Sequence, residues 1–206
     1  MLPVTQRRRI PFGATDLKLL VEVAGEALKT EDSYLLDCTT APRWQDTPLG
    51  IRENPNERYY QFVIWRQLRR SFPWQSETER YGHDFAFFIA GTEKPVAFAE
   101  IKLWWTDLGK SELRGIRRDI EKLELRSVPA VMLIITWNYK NGSERNLKVL
   151  ANHLNLSRDD LVTHSFDTVP WPGEGKTSAT EIMTIGFFVS QKWLEPGLEP
   201  AKVCPT

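Results

Sequence analysis

Apolar residues recur along this chain at two spacings, one typical of helices and one typical of strands. The first apolar series predicts a helix over residues 14–30, which Thr15 or Asp16 can cap. The apolar side of this helix consists of Leu19, Leu20, Val23 and Leu28. The segment SYLLDC that follows, residues 33–38, is predicted to be a short strand.

A second, stronger helical pattern begins at Asn54, which can cap the helix. Its apolar face is formed by Tyr60, Ile64 and Leu68. Two polar residues, Glu57 and Gln61, lie close to this face at the start of the helix. Glu57 is either the third residue of a capping box or a functional acid. Gln61 is expected at the surface, with a contact to a site as the alternative.

Two strands are predicted in the stretch HDFAFFIAGTEKPVAFAEIKLWW, from His83 to Trp105, with a turn near Gly91. An amphipathic helix over residues 108–127 follows this pair. The near-continuous apolar run over residues 128–138 predicts a strand that is buried on both faces. The order strand, helix, buried strand indicates a parallel crossover unit.

These elements predict an α/β fold with a central mixed β-sheet of about five strands, flanked by helices. A further helix and two strands are expected after the buried strand. The chain is expected to be one domain over residues 1–206, with a core at 54–138, a helical extension at 14–30, an elaboration at 139–195 and a mobile tail at 196–206.

The composition excludes several kinds of protein but does not indicate a binding partner. The chain has 206 residues and a formal net charge of zero, so any contact with nucleic acid must come from a local basic patch. Cys38 and Cys204 stand in no metal-ligand spacing, which argues against a zinc site. No apolar run approaches the roughly 20 residues that span a bilayer. We therefore expect a cytoplasmic protein with no membrane contact.

Three ionisable residues interrupt the apolar strands. Glu100 and Lys102 are two positions apart and share one face of a strand, and hairpin pairing brings Asp84 opposite roughly this pair. Such groups would cost several kcal/mol on an apolar sheet if they were unpaired. A bound divalent cation removes that cost, and two carboxylates with a backbone carbonyl suit Mg²⁺. The amine can orient or deprotonate a water molecule and offset phosphate charge.

The polar positions and the order of the elements together resemble a known family. Asp84, Glu100 and Lys102 follow the acid, acid-x-lysine series of the PD-(D/E)XK nuclease superfamily, although His83 stands where that motif has a proline. The order helix, strand, strand, helix, strand matches over residues 54–138.

The resemblance implies the restriction-endonuclease-like fold and a Mg²⁺-dependent DNA endonuclease in which Mn²⁺ can replace Mg²⁺. The implied catalytic residues are Asp84, Glu100, Lys102 and Glu57. The implied metal ligands are Asp84, Glu100, Glu57 and the backbone of Ile101. The resemblance also implies a possible homodimer. The alternatives are an inactive binding or regulatory module of the same fold, a subunit of a larger defence or repair complex, or a solvated hairpin face with an ion pair.

The helix after the site carries basic residues that could hold phosphate groups. They are Lys110, Arg114, Arg117 and Arg118. The acids Glu112, Asp119, Glu121 and Glu124 are interleaved with them. A solvated face of helical ion pairs is therefore the alternative to a nucleic-acid contact.

Overall fold

Six β-strands and four α-helices form the regular structure of the part of the chain that is described. The structure, a computed structural model, describes residues 12–39, 50–51, 56–104, 110–139, 143–168 and 180–190. The helices are α1 (Ala14–Thr39), α2 (Glu57–Ser71), α3 (Lys110–Glu124) and α4 (Ser143–Leu154). The strands are β1 (Gln75–Arg80), β2 (His83–Phe88), β3 (Pro95–Trp104), β4 (Ala130–Tyr139), β5 (Val162–Thr168) and β6 (Thr180–Phe188).

All six strands belong to one mixed sheet in the order β1-β2-β3-β4-β6-β5. Strands β3 and β4 are parallel, whereas every other neighbouring pair is antiparallel. Helix α3 connects the parallel pair, as the crossover pattern predicts. The α/β class and the mixed sheet flanked by helices are therefore confirmed, with six strands where about five were predicted.

Helices bury the sheet from both sides. Helices α1 and α2 pack on one face, against side chains that include Phe85, Ile101 and Leu133. Helices α3 and α4 pack on the other face, against side chains that include Met132 and Ile185. Because the neighbours Met132 and Leu133 point into different cores, β4 is buried on both sides, as its apolar run predicts.

The strand predicted over residues 33–38 is wrong, because these residues form the last turns of α1. Two buried polar residues, Glu31 and Asp32, stand where the helical spacing calls for apolar ones. These two residues interrupt the apolar periodicity, so the sequence pattern does not show that the helix continues. Leu35, further along, still packs against the core. The first helix therefore extends to Thr39.

Strand β1 was not predicted, because its sequence QSETER has no apolar residues. It lies at the edge of the sheet and pairs only with β2. Ser76 is its one buried residue. An edge strand with polar side chains suits a sheet that must not pair with other chains, but it leaves no periodic apolar signal.

Helix α2 begins later than its predicted start. Asn56 is the N-cap, and its side-chain oxygen accepts a hydrogen bond from the backbone N–H of Arg58 at 3.0 Å. The predicted cap, Asn54, lies outside the described residues. Glu57 is the first helical residue, whereas a capping box needs its acid at the third helical position. The capping alternative for Glu57 is therefore removed.

The N-terminal helix belongs to the main core. It packs on β5 and β6 and lies beside α2, so it is more than an extension. None of the helices in the described ranges is both long and apolar enough to cross a membrane. The tail predicted over residues 196–206 lies outside the described residues.

Candidate active site

The site lies where β2 and β3 stop pairing. The last regular pair of their ladder on this side is Phe85 with Ala99. Beyond it, the N–H of Ile101 donates to Oδ2 of Asp84 at 2.7 Å. The next N–H on the same edge of β3, that of Leu103, donates to Oε2 of Glu57 on α2 at 3.4 Å. Two carboxylates therefore take the place of a continuing strand, and the edge of β3 is open to side chains.

Asp84 and Glu100 lie close enough for the carboxyl group of each to shift the pKa of the other. Burial raises the pKa of Asp84 to about 7, and the charge of Glu100 adds to the rise. Burial also acts to raise the pKa of Glu100, but hydrogen bonds from His83 and Lys122 outweigh it, so that the pKa is lowered. Below about pH 7 the pair therefore holds one proton, on Asp84.

Lys102 lies between acids from both sides of the sheet. Its Nζ is 3.3 Å from Oε1 of Glu57, on α2, and 3.0 Å from Oδ2 of Asp119, on α3. Burial acts to lower the pKa of Lys102, but these two acids more than compensate and raise it. In this state Lys102 is a fixed ammonium, which suits it to orient a water molecule or to neutralise a phosphate oxygen.

His83 holds Glu100 from behind. Its Nδ1 is 2.6 Å from Oε1 of Glu100, and its Nε2 is 2.7 Å from Nε of Arg126. An arginine N–H can only donate, so Nε2 accepts and the ring proton lies on Nδ1, where it is donated to Glu100. The ring is buried and lies 4.6 Å from the ring of Phe98. His83, the residue before Asp84, therefore contacts the site through Glu100.

Gln61 is buried, so the expectation that it lies at the surface is wrong. Its Nε2 donates to the backbone oxygen of Asp84 at 3.0 Å and to Oε1 of Glu79 at 3.3 Å. Glu79 has a φ of 54°, and Tyr81 in the next turn has a φ of 58°. Left-handed backbone at residues other than glycine is strained and clusters at functional sites. The turn between β1 and β2 is thus held beside the carboxylate pair.

The acids that the sequence predicts as ligands are only partly assembled. Asp84 and Glu100 come together, and the carbonyl of Ile101 points to the same edge of β3 as its N–H. Glu57 is turned to Lys102 instead. In the described ranges, no group of three or more acidic, histidine or cysteine residues is arranged to hold a metal ion. Mg²⁺ is commonly held by one or two carboxylates with water as the remaining ligands, so the facing pair fits it.

The predicted phosphate-binding residues on α3 show no single role. Arg117 donates to the backbone oxygen of His153 at 2.9 Å and thereby ties α3 to α4. Arg114 and Arg118 are exposed, whereas the side chain of Lys110 lies outside the described residues. Because Asp119, one of the interleaved acids, turns inward to Lys102, the outer face of α3 is less acidic than the sequence suggests.

Helix α2 carries arginines with no acids interleaved along its own sequence, although Arg66 pairs with Glu31 of α1 at 2.5 Å. Four arginines and no acid lie in the segment from Arg58 to Ser71. Phe62 is half exposed there, and the guanidinium of Arg66 lies 5.9 Å from its ring. Arg69 lies over the ring of Trp65 in the same way. Sequence reasoning gave this surface little weight, although the absence of acids was a usable signal.

Two further site residues come from α3 and were not predicted as such. Asp119 stands three positions after Ile116 and four before Leu123, so it shares their inward face. An acid on an apolar helix face is the signal that could have found it. Lys122, three positions further along, donates a hydrogen bond to Oε1 of Glu100.

Comparison of the chain with protein-family models, with curated proteins and with solved structures finds no match. The functional argument therefore rests on the geometry and the electrostatics of the site.

Proposed function

We propose that this chain is a metal-dependent nuclease that hydrolyses phosphodiester bonds, with DNA as its substrate. The observation that carries the proposal is that Asp84 accepts the N–H of Ile101, next to Glu100, and that the two carboxyl groups lie close enough to shift each other's pKa, with Lys102 on the same face of β3. Two facing acids favour a cation, and a neighbouring ammonium favours a phosphate. The elements around them follow the order α2, β1, β2, β3, α3, β4, which is the predicted series with β1 added before β2, and this order supports a restriction-endonuclease-like core.

Asp84 and Glu100 would hold Mg²⁺ or Mn²⁺, together with the carbonyl of Ile101. A bound divalent cation of this kind polarises a phosphate and makes a bound water more acidic. Glu57, which accepts the N–H of Leu103, would join the ligands after it releases Lys102. His83 keeps Glu100 in position through the proton on Nδ1.

Lys102 supplies the second part of the chemistry. Because its pKa is raised, it donates hydrogen bonds rather than accepting a proton at the outset. It would orient the attacking water and offset the charge that develops on the phosphate oxygens. Asp119 restrains the ammonium at 3.0 Å, which limits the rotamers that Lys102 must give up on substrate binding.

A second candidate function is a binding or regulatory module with the same fold. It is favoured by the balance of charges within the site, since Lys122 already neutralises Glu100 and two acids already neutralise Lys102. A network of that kind also occurs in purely structural ion pairs.

Nicking of supercoiled plasmid by the purified chain separates the two candidates. We expect nicking in Mg²⁺ or Mn²⁺ and none in EDTA. Lys102→Ala and Asp84→Asn should each lower the rate at least about 100-fold, as the loss of a charged group at a reacting phosphate does. Lys148→Ala, at an exposed position on α4, is the matched control and should leave the rate unchanged. No nicking by the unaltered chain in either metal would select the binding module.

A further inference from the structure

Helix α3 supplies a partner of opposite charge to each polar residue of β3. Asp119 pairs with Lys102 at 3.0 Å, and Lys122 pairs with Glu100. The two α3 residues are three positions apart on one side of a helix, and the two β3 residues are two positions apart on one face of a strand. Because the spacings match, α3 forms an ion pair with each of the two polar residues of β3.

The two groups that donate to Glu100 differ in mobility. His83 is completely buried and is held from its other side by Arg126. The side chain of Lys122 is 39% exposed, and it ends a long flexible stem. Both donate to the same oxygen, Oε1. His83 is therefore the permanent support of Glu100, whereas Lys122 is the group that can leave.

The ammonium of Lys122 and a divalent cation would compete for the same carboxylate, Glu100. Asp84 and Glu100 together attract one cation, and Lys122 places its ammonium on Glu100. A divalent cation on the same carboxylates would meet an ammonium in direct hydrogen-bond contact with Glu100. Like charges at such short range repel strongly in a partly buried site. Both cannot keep full contact with the carboxylate.

We infer that Lys122 is a resident cation which the metal displaces, and that its released ammonium then contacts the phosphate of the bound nucleic acid. This inference rests on the proposed function, because it assumes the same metal position. It goes further by assigning to Lys122 two successive partners, Glu100 without metal and the substrate phosphate with metal. Lys122 thereby links metal binding to substrate binding.

The test measures binding in the absence of turnover. Calorimetric titration with Mn²⁺ alone should give about tenfold tighter binding for Lys122→Gln than for the unaltered chain, within the range usual for energetic coupling between sites. Lys122→Arg keeps the charge and should bind Mn²⁺ no more than about twofold differently from the unaltered chain. Lys148→Gln removes the same charge from an exposed position on α4 and should change nothing.

The second arm uses a double-stranded oligonucleotide in Ca²⁺, followed by fluorescence anisotropy. Lys122→Gln should bind it several-fold more weakly than the unaltered chain, although it binds the metal more tightly. Mn²⁺ affinity that is unchanged or weaker in Lys122→Gln would overturn the inference, and if plasmid is still nicked the proposed function stands. Absence of Mn²⁺ binding in every variant would overturn both. Tighter metal binding with unchanged oligonucleotide binding would overturn the phosphate role of Lys122.

Discussion

Among the residues that the structure describes, the buried Asp32 and the partly buried Asp84 are satisfied in different ways. Asp32, in α1, is 3% exposed, and its two oxygens accept one donor each. The N–H of Ile51 donates to Oδ1 at 2.8 Å, and the hydroxyl of Thr168 donates to Oδ2 at 2.7 Å. Asp84, at the start of β2, accepts the N–H of Ile101 but also faces a second acid, Glu100.

The difference separates a structural carboxylate, Asp32, from Asp84, the carboxylate to which we assign a functional role. Burial raises the pKa of Asp32, yet no further acid adds to the rise, and its donors are neutral groups from two other segments. Asp32 therefore holds the chain at residues 50–51 and β5 against α1. At Asp84 the surrounding groups are charged and long, and Lys102 and Lys122 each have a partner that they could exchange. Exchangeable ionic partners suit a site that binds ions.

The largest expected effect is the loss of stability in Asp32→Ala. The substitution leaves the N–H of Ile51 and the hydroxyl of Thr168 without their acceptor in a buried position. We expect the free energy of unfolding to fall by about 3 kcal/mol, since each orphaned buried donor costs about 1–3 kcal/mol. Urea denaturation monitored by tryptophan fluorescence measures it.

The matched variant Asp32→Asn keeps one acceptor oxygen and should lose less than Asp32→Ala. Neither variant should change Mn²⁺ affinity, because the residue lies on α1, away from the carboxylate pair. A loss below about 1 kcal/mol in Asp32→Ala would remove the structural role that we assign to this aspartate.

The second-largest expected effect is a rise in the free energy of unfolding in Asp84→Asn, measured in EDTA. An asparagine reproduces the protonated acid, because it can accept from Ile101 and donate to Glu100. The pKa of Asp84 is about 7 in the folded chain and near 3.8 unfolded, so the folded state holds the proton between these values. The stability of the unaltered chain therefore falls as the pH rises from about 4 to 7.

A shift of this size corresponds to at most about 4 kcal/mol, and partial solvation of the site should halve it to about 2 kcal/mol. Asp84→Asn removes the ionisation and should be more stable than the unaltered chain by that amount at pH 8, and by less than half of it at pH 5. The measurement is urea denaturation in EDTA at both values. A variant that is equally destabilised at pH 5 and pH 8 would show that the pair does not share a proton.

The site residues that sequence reasoning found are those whose position follows from local spacing. Glu100 and Lys102 share a face because they are two apart on one strand, and a short hairpin brings Asp84 to them. Asp119 and Lys122 could not be placed in this way, because the rotation of α3 against β3 depends on how its apolar residues pack. The spacing of residues within one element can be read from the sequence, whereas ion pairs between elements depend on how the elements pack.

The same limit applies to the fold. The crossover from β3 to β4 was predictable because a run such as that from Val131 to Ile135 is buried on both faces. The end of α1 was not, because Glu31 and Asp32 are buried polar residues whose partners are distant in sequence. Strand β1 pairs along one edge only, so no burial pattern marks it.

The smallest expected effect concerns how tightly each region is packed. A Cβ at Gly115, in α3, would lie 3.6 Å from Cε of Lys102, an ordinary van der Waals contact. Gly115→Ala should therefore raise the free energy of unfolding by about 0.5–1 kcal/mol through helix propensity, with unchanged Mn²⁺ affinity. The matched helical Gly25→Ala should lose stability, because its Cβ would lie 2.1 Å from Nδ1 of His164. A loss of stability in Gly115→Ala, measured in the same urea titration, would mean that the charged site is packed as closely as the side of the sheet that α1 covers. We expect α3 to tolerate the added methyl group instead. Its ion pairs with β3 fix only the charged ends of the side chains.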